Sequence, residues 1–366
     1  MLKSLILENF KPFENQSFSF KTLTLLSGLN SSGKSSLLQS LLLLRQSYQQ
    51  DLLDTVGLAL NGDLVCIGTA QDALFERANK DLIVFEIVAE DDIKNRWVFD
   101  YDRESNIIKL SSSSNVCKNI YNSSLFSDKF HYLRADRISP SNYFEISDFQ
   151  VKQHQQIGTK GEFTAHFLSI YDETIISNKN LSHPSENSLK FQNQVEAWLG
   201  EISPGTRIEL ESHLGMDLVN LKYSYGLSNS YRSTNVGFGI TYTLPIIVAI
   251  LSATSDTLIL LENPEAHLHP KGQSKMGELI ALAASCGIQI VVETHSDHIL
   301  NAMRIAVKKK KISPEDVQIY YFEKNENREQ PLINILVPQI HEDGNFSSLP
   351  PDGFFDEFYK TEAELI

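Results

Sequence analysis

Cysteine is scarce in this chain. There are three in 366 residues, Cys66, Cys117 and Cys286, far apart and with no CxxC pair. That spacing argues against a disulfide framework or a zinc site and leaves buried thiols as the expectation. Long apolar runs are absent too: no segment approaches the ~20 residues a membrane-crossing helix needs. Glu8 and Lys11 interrupt the opening apolar stretch, so no secretory leader is read there. These absences predict a cytoplasmic chain with no membrane partner. Positive charge is in deficit, with 32 Lys and Arg against 46 Asp and Glu and a net charge of −14. Such a surface repels nucleic acid on average, so DNA binding would need a local basic patch. Lys308 to Lys311 is one candidate; the other reading of it is a solvated helix end, where cations suit the C-terminal dipole. Internal repeats and sustained heptads are missing as well.

What is present reads as an ordinary globular chain, 42% hydrophobic and 21% charged. Leu2 to Leu7 and Ser17 to Phe20 read as a strand and its hairpin partner. Leu23 to Leu26 is an apolar strand entering Gly28, and Ser35 to Tyr48 carries the leucine spacing of a buried helix. Between residues 55 and 130, Leu82 to Val88, Trp97 to Tyr101 and Ile107 to Leu110 are strands separated by polar turns, which predicts an antiparallel sheet. Residues 162 to 200 are more helical, with Phe191 to Leu199 stopping at Gly200. From residue 237 helices and strands alternate. Helices at 243 to 253, 271 to 285 and 297 to 309 interleave with strands Thr257 to Leu261, Ile288 to Val292, Val317 to Phe322 and Leu332 to Val337. That alternation predicts a mainly parallel sheet.

Three motifs carry chemistry. Gly28-Leu29-Asn30-Ser31-Ser32-Gly33-Lys34-Ser35 fits GxxxxGK[ST] between an apolar strand and an apolar helix, the context of a phosphate-binding P-loop, and Ser36, the next residue, is counted with it as nucleotide-binding. Glycines let backbone N–H groups wrap phosphates, and the helix N-terminus adds a positive dipole. Lys34 would reach the β- and γ-phosphates of ATP, and the Ser35 hydroxyl would hold Mg2+. Thr257 to Leu261 is an apolar strand ending in Glu262, a Walker B pattern whose carboxylate supports Mg2+. Glu293-Thr294-His295-Ser296 closes the next apolar strand, and His295 there could bond the γ-phosphate or the attacking water. His267 and His269, two imidazoles without a third ligand, are weak as a metal pair.

Taken together, the motifs resemble the ABC-type AAA-family ATPases of the SMC-like and OLD (overcoming lysogenisation defect) group. The match is carried by Leu5 to Phe13, by Gly28 to Ser47, by Thr257 to Gln273 and by Val291 to Arg304. Asn235-Val236-Gly237-Phe238-Gly239 lies where their signature motif belongs, and the tail Pro350 to Glu357 is similar to the ending of a bacterial branch of them. The resemblance covers both ends of the chain well and the middle poorly. It implies an α/β fold of ABC-ATPase head type: a mainly parallel sheet with helices, an antiparallel β subdomain and a helical insertion. The implied division is 1–135 with the P-loop and antiparallel insertion, 136–235 as a helical or mixed insertion, 236–325 as the signature, Walker B and switch-histidine core, and 326–366 as a tail element.

It also implies function: an ATPase using ATP and Mg2+, in which two heads sandwich two nucleotides. Asn235 and the Gly237 and Gly239 backbone would cap the γ-phosphate of the partner copy. The implied assembly is a homodimer or higher even-numbered oligomer that regulates a separate effector, a nuclease, in bacterial anti-phage defence, as in Septu-like and Gabija-like systems. In the matching segment His267 and His269 are D-loop and helix-entry residues. The chain departs from the pattern where many relatives carry a second acid; here Asn263 stands. An amide can position water but cannot act as its base, so Glu265 or Glu293 substitutes, or hydrolysis is slow. The signature segment lacks an SGG core, and Gln46 is the candidate for a Q-loop glutamine. No coiled-coil arms or zinc hook are expected between Lys34 and Asn235, and the stretch after His295 is short for the TOPRIM nuclease domain of OLD proteins. Two other readings stay open. One is a RecF-like, DNA-binding ATPase of DNA repair or metabolism, using the lysine cluster and the arginines of Tyr132 to Pro140; for those arginines an internal salt bridge is the competing role. The other is a nucleotide sensor with little turnover.

Overall fold

Alternation makes the first element: Leu5 and Leu7 are fully buried along one face of the strand Leu2–Phe10 with the half-buried Ile6 between them, and Phe10 is buried past the left-handed Asn9. In this computed structural model, which describes residues 1–325, 332–351 and 353–365, that strand sets Leu5 opposite Phe18 of Phe13–Ser19, as the hairpin reading expected. Its other edge takes Leu82–Ala89, with Leu5 opposite Ile87. The hairpin and the strands of residues 55 to 130 thus share one antiparallel sheet. Its order is Phe13–Ser19, Leu2–Phe10, Leu82–Ala89, Lys94–Asp100, Ile107–Leu110, Gly57–Ala59. Edge-to-face rings pack it, Phe10 on Phe85 at 4.9 Å and Phe85 on Phe99 at 5.9 Å between centroids.

This sheet belongs to the first of two compact units, built from Met1–Ser127, Glu315–Gln339 and Phe346–Ile366. The same unit holds the strand Leu23–Gly28, which runs parallel to Val317–Asn325; that strand in turn pairs antiparallel with Leu332–Leu336. The helix Lys34–Gln49 follows the glycine loop and buries six leucines, Leu37, Leu38 and Leu41 to Leu44, to 1% exposure or less. At about 2 kcal/mol per buried leucine, that face decides where the helix sits.

The second unit comprises Asp128–Pro314 and Ile340–Asn345. Its centre is three parallel strands, Phe130–Leu133, Leu258–Glu262 and Gln289–Glu293, with Leu260 opposite both Tyr132 and Val291. The helices Phe238–Ser252, Pro270–Ser285 and Asp297–Lys308 alternate with them along the chain, as parallel pairing requires. His269 caps the second of these helices, its Nδ1 accepting from the Lys271 N–H, with Pro270 as the first helical residue. Ser296 caps the third through a bond from the Ile299 N–H. Lys308 closes that helix, Lys309 follows as its cap, and Lys311 pairs with Glu278 at 3.2 Å, so the lysine cluster is a helix end. The parallel strands, the antiparallel sheet and the helices together form a mixed α/β fold.

Several expectations need correction. The helix expected at 243 begins at Phe238; Pro245 removes one internal bond without ending it. Residues 162 to 200 do hold helices, Thr164–Tyr171 and Phe191–Gly200, but a β-hairpin follows that the helical reading of this lobe missed: Thr206–His213 with Leu218–Tyr225, flanked by Tyr143–Glu145 and Tyr231–Arg232. Cys66 and Cys117 are exposed and Cys286 half-buried, all three free thiols, because they sit in turns and at a helix end rather than on core faces. Asp352, in the tail, and residues 326–331, at the head of the expected tail element, lie outside the described residues. Among the described residues no helix is long and apolar enough to cross a membrane.

His166 is 3% exposed on the helix Thr164–Tyr171, and its Nδ1 accepts the Ser147 N–H. Burial holds its pKa below the usual histidine value, outweighing the Asp148 carboxylate that pulls it upward. The folded state therefore favours the neutral ring, and the unfolded chain binds the proton more readily. Stability present above pH ~6.5 should fall as pH drops below it. Chemical denaturation between pH 8 and pH 5 should show that decline. His166→Asn, which keeps a side-chain acceptor, should flatten it; an equally steep decline in the variant would assign it to other groups.

Candidate functional site

In the first unit the loop is built by backbone that only glycine adopts. Gly28 has φ 132°, and a Cβ there would stand 2.0 Å from the Phe322 carbonyl oxygen, the same oxygen that accepts the Leu29 N–H. Ser31 sits at φ 57°, and Gly33, at φ 104°, starts the helix Lys34–Gln49. The buried Ser32 hydroxyl donates to the Leu29 carbonyl at 2.6 Å and closes the turn from within. Asn30, Ser31 and Ser35 are exposed, and Ser36 half-buried. Lys34 is 3% exposed, and its ammonium donates to the carbonyls of Gly28 at 3.0 Å and Leu29 at 2.8 Å. The cation is thereby held over the loop. No acidic side chain occupies the first helical turn, whose N–H groups have no intrahelical acceptor. Ammonium, N–H groups and hydroxyls together are a donor set that fits an anion.

Gln46 has another task. It is 2% exposed, donates to the Ala59 carbonyl and accepts the N–H groups of Leu64 and Val65, which makes it a core bracket.

The second unit gathers the carboxylate strand and the histidine strand. Their parallel register places Glu262 opposite Glu293, so the turns that follow begin side by side. The Glu262 carboxylate accepts the Tyr132 hydroxyl at 2.8 Å and the Ala135 N–H at 3.1 Å. Burial, and then the Glu262 charge, raise the Tyr132 pKa, so the phenol stays a donor. Asn263 takes a left-handed φ of 44°, donates its N–H to the Glu293 carbonyl at 2.8 Å, and buries an Oδ1 with no partner among the described residues. Both oxygens of Glu265 are engaged: Oε2 accepts the Thr294 hydroxyl at 2.7 Å and Oε1 the His295 N–H at 2.6 Å. That suits an anchor for the histidine segment more than a free base. The Ser296 hydroxyl donates to Gln273, whose amide donates back to the Leu268 carbonyl. His295 is exposed at the end of this laced turn, and Glu293 is buried.

The segment Asn235 to Gly239 enters the helix Phe238–Ser252, with Gly237 as its N-cap and Asn235, Gly237 and Phe238 exposed. A Cβ on Gly239 would lie 2.7 Å from the His267 carbonyl, so glycine permits that helix to meet the turn after Asn263. Sequence reasoning missed Tyr132 and Thr294 as neighbours of the two carboxylates. It left the arginines after Tyr132 between several roles. The structure pairs Arg134 with Asp136 at 2.9 Å and buries Arg137 inside the unit. Among the described residues no cluster of three His, Cys, Asp or Glu is built to hold a metal, so the two imidazoles at 267 and 269 are not a metal site of that kind.

Replacing Glu265 with Ala would leave the buried Thr294 hydroxyl and the His295 N–H unpaired, a cost of about 1–3 kcal/mol. Urea denaturation should show that loss for Glu265→Ala and a smaller one for Glu265→Gln, which keeps one acceptor. Equal stability of wild type and Glu265→Ala would remove the anchor.

Comparison with known proteins agrees with this geometry. The family model described as "AAA domain, putative AbiEii toxin, Type IV TA system" matches residues 23–301. A second, "Protein of unknown function (DUF3696)", matches residues 312–365. No curated protein matches. Among solved structures, an SMC head bound to the C-terminal winged-helix domain of ScpA is similar over 92% of this chain and 97% of its own, at 14% identity and a TM-score of 0.53. An SMC head with an extended coiled coil, bound to the C-terminal domain of ScpA derived from Pyrococcus furiosus, covers 100% of this chain and 99% of its own at 12% identity and a TM-score of 0.50. With the match spanning most of its length, the chain belongs to this AAA-domain family, and its mixed α/β fold is that of the SMC-head ABC-type ATPases.

Proposed function

We propose that this chain binds and hydrolyses ATP as an ABC-type ATPase and that two copies close on the nucleotide. The observation that carries the reading is the buried Lys34 ammonium over a glycine-shaped loop at a helix N-terminus. An ammonium buried over the loop and held on its carbonyls is a charged donor that a polyphosphate can engage. In this reading Gly28 to Ser36 wrap the phosphates, and Lys34 exchanges its carbonyl partners for β- and γ-phosphate oxygens. The family resemblance assigns Mg2+ to the Ser35 hydroxyl and the Glu262 carboxylate, oxygen donors of the kind that ion takes. Mg2+ held there would offset the charge of the phosphates.

Water attacks the γ-phosphorus, the bond to the β–γ bridging oxygen breaks, and ADP and inorganic phosphate leave. Asn263 offers a buried oxygen that can accept one hydrogen bond from that water but not its proton. In this reading His295 serves the γ-phosphate or the attacking water, and Glu265 accepts its backbone N–H. Turnover is accordingly slow, because positioning rather than a strong base supplies the rate. Asn235 and the backbone of Gly237 and Gly239 open the helix Phe238–Ser252 toward solvent, as a group that reads a partner copy's nucleotide must be. The resemblance to OLD-type ATPases extends the reading to control of a separate nuclease effector in anti-phage defence. The DNA-binding alternative loses ground: Arg134 is paired, Arg137 is buried and Lys311 is tied to Glu278.

ATP turnover by the purified chain, with oligomer mass followed with and without ATP, tests this directly. Wild type should hydrolyse ATP slowly and gain mass, while Lys34→Ala and Glu262→Gln should each lower turnover by about 10²-fold or more. Turnover equal to wild type in both variants would refute the site.

A further inference from the structure

Arg137, in the segment Tyr132 to Pro140, lies outside the phosphate-loop, carboxylate and histidine motifs, yet it is 3% exposed within the second unit. Its guanidinium is used as a fork. Nη1 donates to the Arg134 carbonyl at 2.9 Å and to the Glu262 carbonyl at 2.7 Å, and Nη2 donates to the Asn263 carbonyl at 2.6 Å. Two of those acceptors are the backbone of the residues proposed to hold Mg2+ and to meet the attacking water. The flat face of the same group lies 5.4 Å from the ring centroid of Tyr242, on the helix that Gly237 caps. Tyr242 packs edge-on against His267 at 4.7 Å, and Phe238, one turn earlier, stands 5.5 Å from the same imidazole. His267 is in the turn that begins at Asn263 and has a left-handed φ of 62°. The helix and the turn therefore touch through the rings of Phe238 and Tyr242 on His267 and through the close approach of Gly239, and Tyr242 alone also takes the cationic contact from Arg137.

We propose that Arg137 is a positioning residue that locks the Glu262–Asn263 turn to the helix Phe238–Ser252 through Tyr242, so that a nucleotide met by the N-terminus of that helix adjusts the carboxylate and amide at the strand's end. The proposal rests on the ATPase reading and adds to it a route by which one nucleotide site governs the other. The geometry needs arginine. Only a planar group with several N–H donors reaches three carbonyls from one plane while presenting a face to a ring, and a lysine ammonium in its place would keep the charge and lose the fork. Burial pushes the Arg137 pKa down to about 10, a value that leaves it charged at neutral pH, with Glu265, Tyr242, Glu262 and Asp136 on the stabilising side. The Nε–H has no partner among the described residues. The group is thus held by its terminal nitrogens and its face, both of which belong to the coupling.

The test is a double-mutant cycle on steady-state turnover, with ATP affinity measured separately by equilibrium titration. Arg137→Lys should lower kcat by about tenfold or more while the Kd for ATP stays within about threefold, because the change falls on a group that does not touch nucleotide. Tyr242→Leu should lower kcat by about fivefold, and Tyr242→Phe, which keeps the π face, should restore it. Arg137→Lys combined with Tyr242→Leu should be no slower than Arg137→Lys alone, since both cut the same link. The Hill coefficient for ATP should fall toward one in each slow variant. Tyr242→Leu turning over like wild type, or effects that simply multiply in the double variant, would overturn the proposal; the first reading survives even if Arg137→Lys does not fold, because the Tyr242 pair stands alone. Absence of turnover in wild type would instead be the failure of the ATPase reading, visible before any variant is compared.

Discussion

Parallel pairing of Leu258–Glu262 with Gln289–Glu293 is the constraint on which the second unit depends. Parallel neighbours cannot be joined by a tight turn, so the chain must leave each strand at the same end and return by a helix. Pro270–Ser285 is the helix that joins them, and Asp297–Lys308 leaves the second strand from the same end. The consequence is chemical. Glu262 and Glu293 end their strands in register, and the turns that follow them, one with Asn263 and Glu265, the other with Thr294 and His295, are forced to lie side by side. In open α/β sheets this edge is where ligands bind, and here it is also where polar side chains are most densely laced.

Those side chains answer an accounting problem. A turn brought under a neighbouring helix buries backbone groups that have no ladder to join, each costing about 1–3 kcal/mol if left unpaired. Glu265 meets the Thr294 hydroxyl and the His295 N–H, Arg137 meets three carbonyls, and Gln273 joins the Ser296 hydroxyl to the Leu268 carbonyl. The result is a stiff frame around two groups left with capacity to spare: the Glu262 carboxylate and the Asn263 amide oxygen. In the first unit the leucine face of Lys34–Gln49 does the same for the phosphate loop, by fixing the helix on whose first turn the loop ends. Rigid support beneath a few uncommitted polar atoms is what a site that works by positioning requires.

Much of this was legible in the sequence wherever periodicity and motif agreed. The leucine run after Ser35 has helical spacing, and the strand ending at Glu262 is apolar throughout, so both elements are read within a residue or two of where they lie. The hairpin of Thr206–His213 and Leu218–Tyr225 carried its own signal, since Val219, Leu221 and Tyr223 are buried in alternation. It lies past the helical pattern of residues 162 to 200, in a stretch of the helical or mixed lobe for which no strand is expected. Helix Phe238–Ser252 was started late because Pro245 and two early glycine positions argue locally against a helix that tertiary packing nonetheless stabilises. The two exposed thiols show the limit of residue averages: cysteine prefers the interior, but Cys66 and Cys117 sit in polar turns. Arg137 and Tyr132 were beyond sequence reasoning for another reason. Their partners lie more than a hundred residues away, and nothing local distinguishes a buried guanidinium from a solvated one.

The account stands or falls on the phosphate loop. Isothermal titration of the purified chain with ATP in the presence of Mg2+, repeated for Lys34→Ala, measures it most directly. The account predicts saturable binding by wild type and affinity lowered by about a hundredfold or more in Lys34→Ala, the loss of a charge-assisted contact to phosphate. No binding by wild type, or equal affinity in the two proteins, would contradict it.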